Sequence, residues 1–281
     1  MFKMPWASID RFLSSVPSRG PNEAQDPHSE FTHYDSADAD ILTLLSILKR
    51  DHSLHKVACV PDRRLCLHTD GSGRAFVVET SRGSCPSAAP GTTALDIRAG
   101  IVLTGSGEMY RTGQTDDASL FLPPGWKRGL DECERKGVLY VVANFGLYMD
   151  TLTSNGHANA LVFNLHQRLI ERFEPAGRQR ANQFDKALES LFRSKMPGWK
   201  YVGSSVAPNV GPQRKADAFS GLCVTWSLYY VILRLTNPQK TTAQINQFMV
   251  RGTKSELKSR LVRLNKYMAD TLRSHPRGSL S

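Results

Sequence analysis

An α+β fold, with one buried helix packed on a mixed β-sheet, is what this sequence of 281 residues predicts. Three observations carry that expectation. The elements run from short β-like pieces through an α/β middle to a helical end, with no internal repeat. The run Leu222–Leu235 is apolar nearly all round, as a central helix must be. Finally, His157–Asn164 and Arg168–Glu174 are two strand-like segments joined by Leu165–Gln167, a hairpin by length.

Residues 1–36 read as an irregular N-terminal arm, with Pro17, Gly20, Pro21 and Pro27 among polar residues. Residues 37–130 read as an accessory region. Asp38 and Asp40, followed by Ile41, Leu42, Leu44, Leu45, Ile47 and Leu48, predict a short helix ending near Lys49-Arg50. Short strands follow at Lys56–Val60, Arg64–His68, Arg74–Glu79, Gly100–Thr104 and Ser119–Leu122, separated by Gly, Pro, Ser and Asp clusters, with Gly83–Gly91 as loop. Residues 131–281 are more regular. Gly137–Phe145 is an apolar strand ahead of the hairpin, Asn182–Met196 a helix and Trp199–Gly203 a strand. Gly203–Gln213 is a loop, Ser220–Leu235 the buried helix, and Thr241–Val250 and Ser255–Ser274 are amphipathic helices.

Hydrophobic residues make up 40% of the chain, which excludes wholesale disorder. The longest apolar run is interrupted by Thr225, Ser227 and Arg234 and falls short of a membrane span. Residues 1–19 lack a basic start followed by an apolar core, so no secretory signal is expected there. Five irregularly spaced cysteines suit a reducing compartment better than a disulfide framework. The net charge of +10 lies entirely in the second half: residues 131–281 hold 22 Lys/Arg against 11 Asp/Glu, whereas residues 1–130 hold 14 against 15. Charge of one sign concentrated in this way favours polyanions, DNA or RNA first, and the alternative is a solvated basic surface.

The chemistry lies in the second half. A nucleophilic thiol must be a thiolate near neutral pH, which a helix N-terminus and a neighbouring imidazolium both promote. Cys223 opens the buried helix, with Ser220 placed to cap it and Gly221 leaving room beside the sulfur. His157 is the candidate proton acceptor and donor. Glu174, seventeen positions on, would hold the ring's other nitrogen. The Cys223 backbone N–H and the Gln213 side-chain amide are candidate donors to a developing oxyanion. Each residue alone has an ordinary structural explanation, and only the ordered set points to a thiol hydrolase.

His157 before an apolar strand, Arg172-Phe173-Glu174-Pro175-x-Gly177, Gly211-Pro212-Gln213 and Gly221-Leu222-Cys223 with Trp226 together resemble the adenain-like cysteine proteases. That superfamily joins the adenovirus maturation proteinase, the ubiquitin-like-protein (SUMO) proteases and related enzymes of large DNA viruses. The order His, acid, Gln, Cys is theirs, and the Phe-Glu-Pro-x-Gly wording is closest to the viral members. The resemblance spans roughly residues 137–238. It implies a papain-like, adenain-type fold and a cysteine endopeptidase trimming viral structural precursors after Gly-Gly-x sites, in a virion or host cytoplasm. The basic half would then hold the enzyme on DNA. The family often places Trp directly after the histidine, where this chain has Ala158, leaving the wall beside His157 to another residue. The step from Gln213 to Cys223 is ten, longer than the usual gap, so Asn209 is an alternative donor. An isopeptidase removing ubiquitin-like modifiers from host proteins is the alternative enzyme. A basic nucleic-acid-associated structural protein with an inert protease-like region is the alternative outside catalysis.

No cofactor and no metal are expected. Cys59, Cys66, His68 and Cys85 lack the spacing of a paired zinc knuckle, and Gly105-Ser106-Gly107 with Gly113 lacks the ending of a phosphate loop. In the last helix, Leu257, Leu261, Leu264, Met268 and Leu272 form a docking stripe, with Lys254, Lys258, Arg263 and Lys266 largely elsewhere.

Overall fold

The computed structural model describes residues 54–79, 85–105, 118–149, 152, 156–216, 223–261 and 263–264. The arm at 1–36, the helix expected over 38–50, Ser220-Gly221-Leu222 and the far end of the last helix lie outside the described residues.

In chain order the strands are β1 (Ala58–Cys59), β2 (Arg64–Thr69), β3 (Ala75–Val77), β4 (Ala94–Arg98), β5 (Gly100–Gly105), β6 (Ser119–Phe121), β7 (Tyr140–Met149), β8 (His157–Asn164), β9 (Leu169–Phe173) and β10 (Lys200–Val202). The helices are α1 (Trp126–Arg135), α2 (Arg178–Lys195), α3 (Pro212–Lys215), α4 (Cys223–Thr236) and α5 (Thr242–Met249), with helical backbone again over 254–261. Seven strands form one mixed sheet in the order β10-β9-β8-β7-β5-β6, with β1 also paired to β7. β8 runs antiparallel to both β7 and β9, whereas β5 and β1 run parallel to β7, and β10 parallel to β9. A second sheet, β3-β2-β4, is antiparallel. The predicted α+β architecture with a central helix on a mixed sheet is the observed one.

The central strands carry apolar residues on both faces because both faces are covered. On one face, Tyr140, Val142, Ala160, Val162 and Phe173 pack against α4, α5 and Leu257. On the other, Val141, Phe145, Leu161, Phe163 and Ile170 pack against α1 and α2 through Trp126, Leu130, Phe184, Leu188 and Phe192. Helix α4 buries twelve of its fourteen residues, all but Val224 and Thr236. Burying side chains such as Trp226 and Leu228 contributes about 1.5–3 kcal/mol each relative to exposure. The Asn237 side-chain amide donates to the Leu233 carbonyl at 2.9 Å and closes the helix one residue before Pro238. Among the described residues no helix is long and apolar enough to cross a membrane.

The cysteine expectation needs correction. Cys59 pairs with Cys133 and Cys66 with Cys85, each with a Cα–Cα distance of 5.7 Å, and Cys223 is the free thiol. The first bridge staples β1 to α1 across 74 residues and the second crosses 19. Partners so far apart in sequence leave no spacing signature, so only the folded chain brings them together. Thiol titration of the unfolded, unreduced protein should therefore find one reactive cysteine, and five after reduction. Five without reduction would remove both bridges.

Candidate active site

Strand alternation decides which side chains meet at the end of the sheet. Because Ala160 pairs with Phe173 and both face α4, their neighbours His157, Asn159, Arg172 and Glu174 belong to the opposite, α2 face. His157 is the first residue of β8 and Glu174 follows the last residue of β9, so both stand at the open end of the hairpin. There the imidazole Nε2 lies 2.6 Å from Glu174 Oε1. With Nε2 committed to the carboxylate, Nδ1 is the nitrogen left for the sulfur.

Cys223 is the first described residue of α4, which is anchored on β8 by the Ser227 hydroxyl donating to the Ala158 carbonyl at 3.4 Å. His157 and the backbone N–H groups of Ala158 and Val224 stand close enough to the Cys223 sulfur to favour the thiolate. The sulfur approaches from the α4 side and the carboxylate from the α2 side. The ring bridges them because His157 begins its strand.

The electrostatics follow from this packing. Burial disfavours a charged Cys223, but the hydrogen bond and charge of His157 outweigh it, with help from the Ala158 and Val224 N–H groups, and the thiol is lowered from its ordinary value. Burial also works against an imidazolium, yet the Glu174 carboxylate, then the Cys223 sulfur, push His157 up to about 10. Glu174 is 3% exposed, which alone would raise it, but His157, then Arg172 and the Ala176 N–H, bring it down to about 2. All three directions favour the thiolate–imidazolium–carboxylate state.

Gln213 reaches the neighbourhood by another route. Glu174-Pro175-Ala176-Gly177 turns away from the sheet, and the segment around Gly211 packs directly on that turn. Gly211 N–H donates to the Ala176 carbonyl and Gln213 N–H to the Pro175 carbonyl, both at 3.1 Å. Neither glycine tolerates a side chain: a Cβ on Gly177, whose φ is 90°, would stand 2.2 Å from Gly211 N, and one on Gly211 2.3 Å from the Pro175 carbonyl oxygen. Gln213 thus sits in α3, pinned beside the turn that holds Glu174, with its side-chain Oε1 buried and without a hydrogen-bond partner among the described residues. Asn209 is exposed, and its carbonyl packs under Gly177.

The residue types that sequence reasoning passed over lie behind the carboxylate. Arg172, fully buried at its side chain, donates from Nη2 to Glu174 Oε2 at 2.8 Å, from Nη1 to Asp185 Oδ1 at 3.1 Å and from Nε to Asn159 Oδ1 at 2.6 Å. Asp185, on α2, also accepts from the Tyr201 hydroxyl at 2.9 Å and the Ser204 N–H at 2.7 Å. The available signal was Arg172 two positions before Glu174, on the same face of one strand.

No family model matches the sequence, and no curated protein matches it. Among solved structures, the Chlamydia trachomatis effector protein ChlaDUB1 is similar over 54% of this chain and 62% of its own, at 13% identity and a TM-score of 0.38. The C. trachomatis effector Cdu1 bound to ubiquitin is similar over 56% and 69%, at 13% identity and a TM-score of 0.37. A second structure of ChlaDub1 covers 57% and 70%, at 14% identity and a TM-score of 0.38. The chain thus matches about three-fifths of the first neighbour's length, and the reading of the site rests on its own geometry.

Proposed function

We propose that this chain is a cysteine hydrolase of peptide or isopeptide bonds in protein substrates. The observation that carries the reading is the row Cys223–His157–Glu174, built from α4 and two strand ends, with His157 Nε2 hydrogen-bonded to Glu174 Oε1. The Cys223 thiolate attacks the scissile carbonyl carbon and the carbonyl oxygen takes up the negative charge. The carbon–nitrogen bond then breaks as His157 passes its proton to the leaving amine. Water, deprotonated by His157, attacks the thioester, releasing a carboxylate and restoring the thiolate. Glu174 holds the ring's orientation and stabilises its charged form.

The Cys223 backbone N–H and the Gln213 amide are assigned as oxyanion donors, and one such donor typically contributes about 2.7–4 kcal/mol. Gln213 is preferred over Asn209 because its backbone is fixed to the Glu174 turn, whereas Asn209 is exposed. Cleavage after glycine is what the sequence resemblance implies for substrate, and the basic second half is read as a surface for polyanions.

Fluorogenic Gly-Gly-x peptides and activity probes made from ubiquitin-like modifiers divide the two enzyme readings. Turnover of peptides supports an endopeptidase, and turnover of modifier conjugates alone supports a deconjugase. If neither is cleaved, and a thiol-reactive probe labels the Cys223→Ala protein as strongly as the parent, the hydrolase reading is wrong. Running the panel with duplex DNA at about 50 mM salt tests the charge assignment, since phosphate contacts are strongest there. Absence of retention on DNA removes it.

A further inference from the structure

We propose that Arg172, gripped between Glu174 and Asp185, is a positioning residue that sets how firmly the Glu174 carboxylate holds His157. The inference rests on the hydrolase reading of Cys223 and adds a second layer behind it. Five groups stand in a row of alternating charge: the Cys223 sulfur on α4, the His157 imidazolium on β8, Glu174 just past the end of β9, Arg172 on β9, and Asp185 on α2. Among the described residues, the uncharged groups facing Arg172 include Asn159 on β8, Tyr201 on β10 and the Phe145 ring on β7.

The geometry gives each donor one task. Nη2 takes Glu174 Oε2, Nη1 takes Asp185 Oδ1 and Nε takes Asn159 Oδ1. A guanidinium is planar, so it cannot improve one of these bonds by rotating without loosening the others. Glu174 Oε2 is thereby fixed, and Oε1 is left for His157 at 2.6 Å and the Ala176 N–H at 2.9 Å. The carboxylate is locked from both ends, and the ring it carries is aimed at the sulfur. Arg172 also partly neutralises Glu174, while Asp185 partly neutralises Arg172. Removing the cation should strengthen the carboxylate's field at His157, and removing the distant anion should weaken it.

That reversal of sign separates positioning from plain structural support. The readout is the rate of Cys223 alkylation by iodoacetate across pH in the full chain, followed beside substrate turnover. An anionic reagent reports the thiolate–imidazolium pair as a bell, whose alkaline limb is loss of the His157 proton. In Arg172→Gln the alkaline limb should move up, and in Asp185→Asn down, each by about half a pH unit or more. Arg172→Lys keeps the charge without the fork. Its limb should stay near the parent's, while turnover falls by about tenfold or more through loosened geometry.

Asp185→Asn is the safer variant for folding. Its side chain is 18% exposed, and an amide oxygen in place of Oδ1 can still accept from Arg172 and Tyr201, at the cost of the Ser204 N–H bond to Oδ2. A parent bell whose alkaline limb stays put in Asp185→Asn, or moves the same way in both charge variants, overturns the inference and leaves the hydrolase reading standing. A parent with no bell at Cys223 overturns the hydrolase reading itself, and the inference with it.

Discussion

Cys223→Ala is expected to lower kcat by at least about 10⁴-fold on any substrate the parent cleaves. The replacement removes the atom that forms the thioester, and no other described cysteine can take its place, since the remaining four are joined in disulfides. The cost to stability is small. A buried thiol behaves as a small hydrophobe, so alanine should lose about 1 kcal/mol, or roughly 2–4 °C in melting temperature for a chain of this size. Large loss of rate with near-parental melting is the expected pair of results. Residual cleavage within tenfold of the parent would assign the nucleophile elsewhere.

The pH dependence has a definite sign. His157 is raised from 6.5 to about 10, so its contribution to stability is complete below 6.5 and lost as pH rises through about 10. Glu174 is lowered from 4.5 to about 2, so its contribution is complete above 4.5 and lost as pH falls through about 2. Both are fully present between 4.5 and 6.5. Turnover should persist through neutral pH and decline as His157 deprotonates, because the leaving amine then lacks its proton donor. In His157→Ala the alkaline fall in melting temperature near pH 10 should shrink, and thermal melts at successive pH values check it.

How much of this could be read from the sequence depended on whether the determining contacts were local. β8 was legible at both ends, and β2 and β5 to within a residue, because buried strands declare themselves as apolar runs between turn residues. The central helix was legible from the same cause over its described residues, Cys223–Thr236. Strand β4 was read as connection: it is an edge whose Asp96 and Arg98 break the apolar signal, and it exists because Leu65 and Leu67 on β2 need a partner. Helix α1 was missed because Gly129 and six charged residues mask the buried line Trp126, Leu130 and Cys133, which is helical in period but short. Helix α2 begins four residues earlier than Asn182, at Arg178, immediately after the left-handed Gly177. In the site, His157, Glu174 and Cys223 could be found by type and order. Arg172 and Asp185 could not, because their roles arise only when α2 packs across the hairpin.

Breaking the other buried ion pair should cost more stability than any change at the active site. Glu171 is adjacent to Arg172 on β9 and therefore points to the opposite face, where it is 0% exposed under α4. Arg234, 3% exposed, grips it bidentately, Nε to Oε2 and Nη2 to Oε1, each at 2.8 Å. The Tyr230 hydroxyl adds a bond at 3.2 Å, and the Arg234 guanidinium lies 4.8 Å from the centre of the Tyr140 ring. Nη1 donates to the Lys240 carbonyl at 3.1 Å, tying the end of α4 to the turn before α5. Arg234→Met leaves a carboxylate in apolar surroundings with Tyr230 as its one remaining partner among the described residues, and the expected loss is about 3–5 kcal/mol. For a chain of this size that corresponds to a melting temperature lower by about 10 °C. Glu171→Leu combined with Arg234→Met removes both charges and should recover most of the loss, because the pair's own desolvation cost disappears with it. Activity per folded molecule should change little in the double variant, since the sheet separates this pair from His157 and Glu174. A single variant that melts within 2 °C of the parent would mean that water reaches Glu171, and that the α4 face is not the dry core described here.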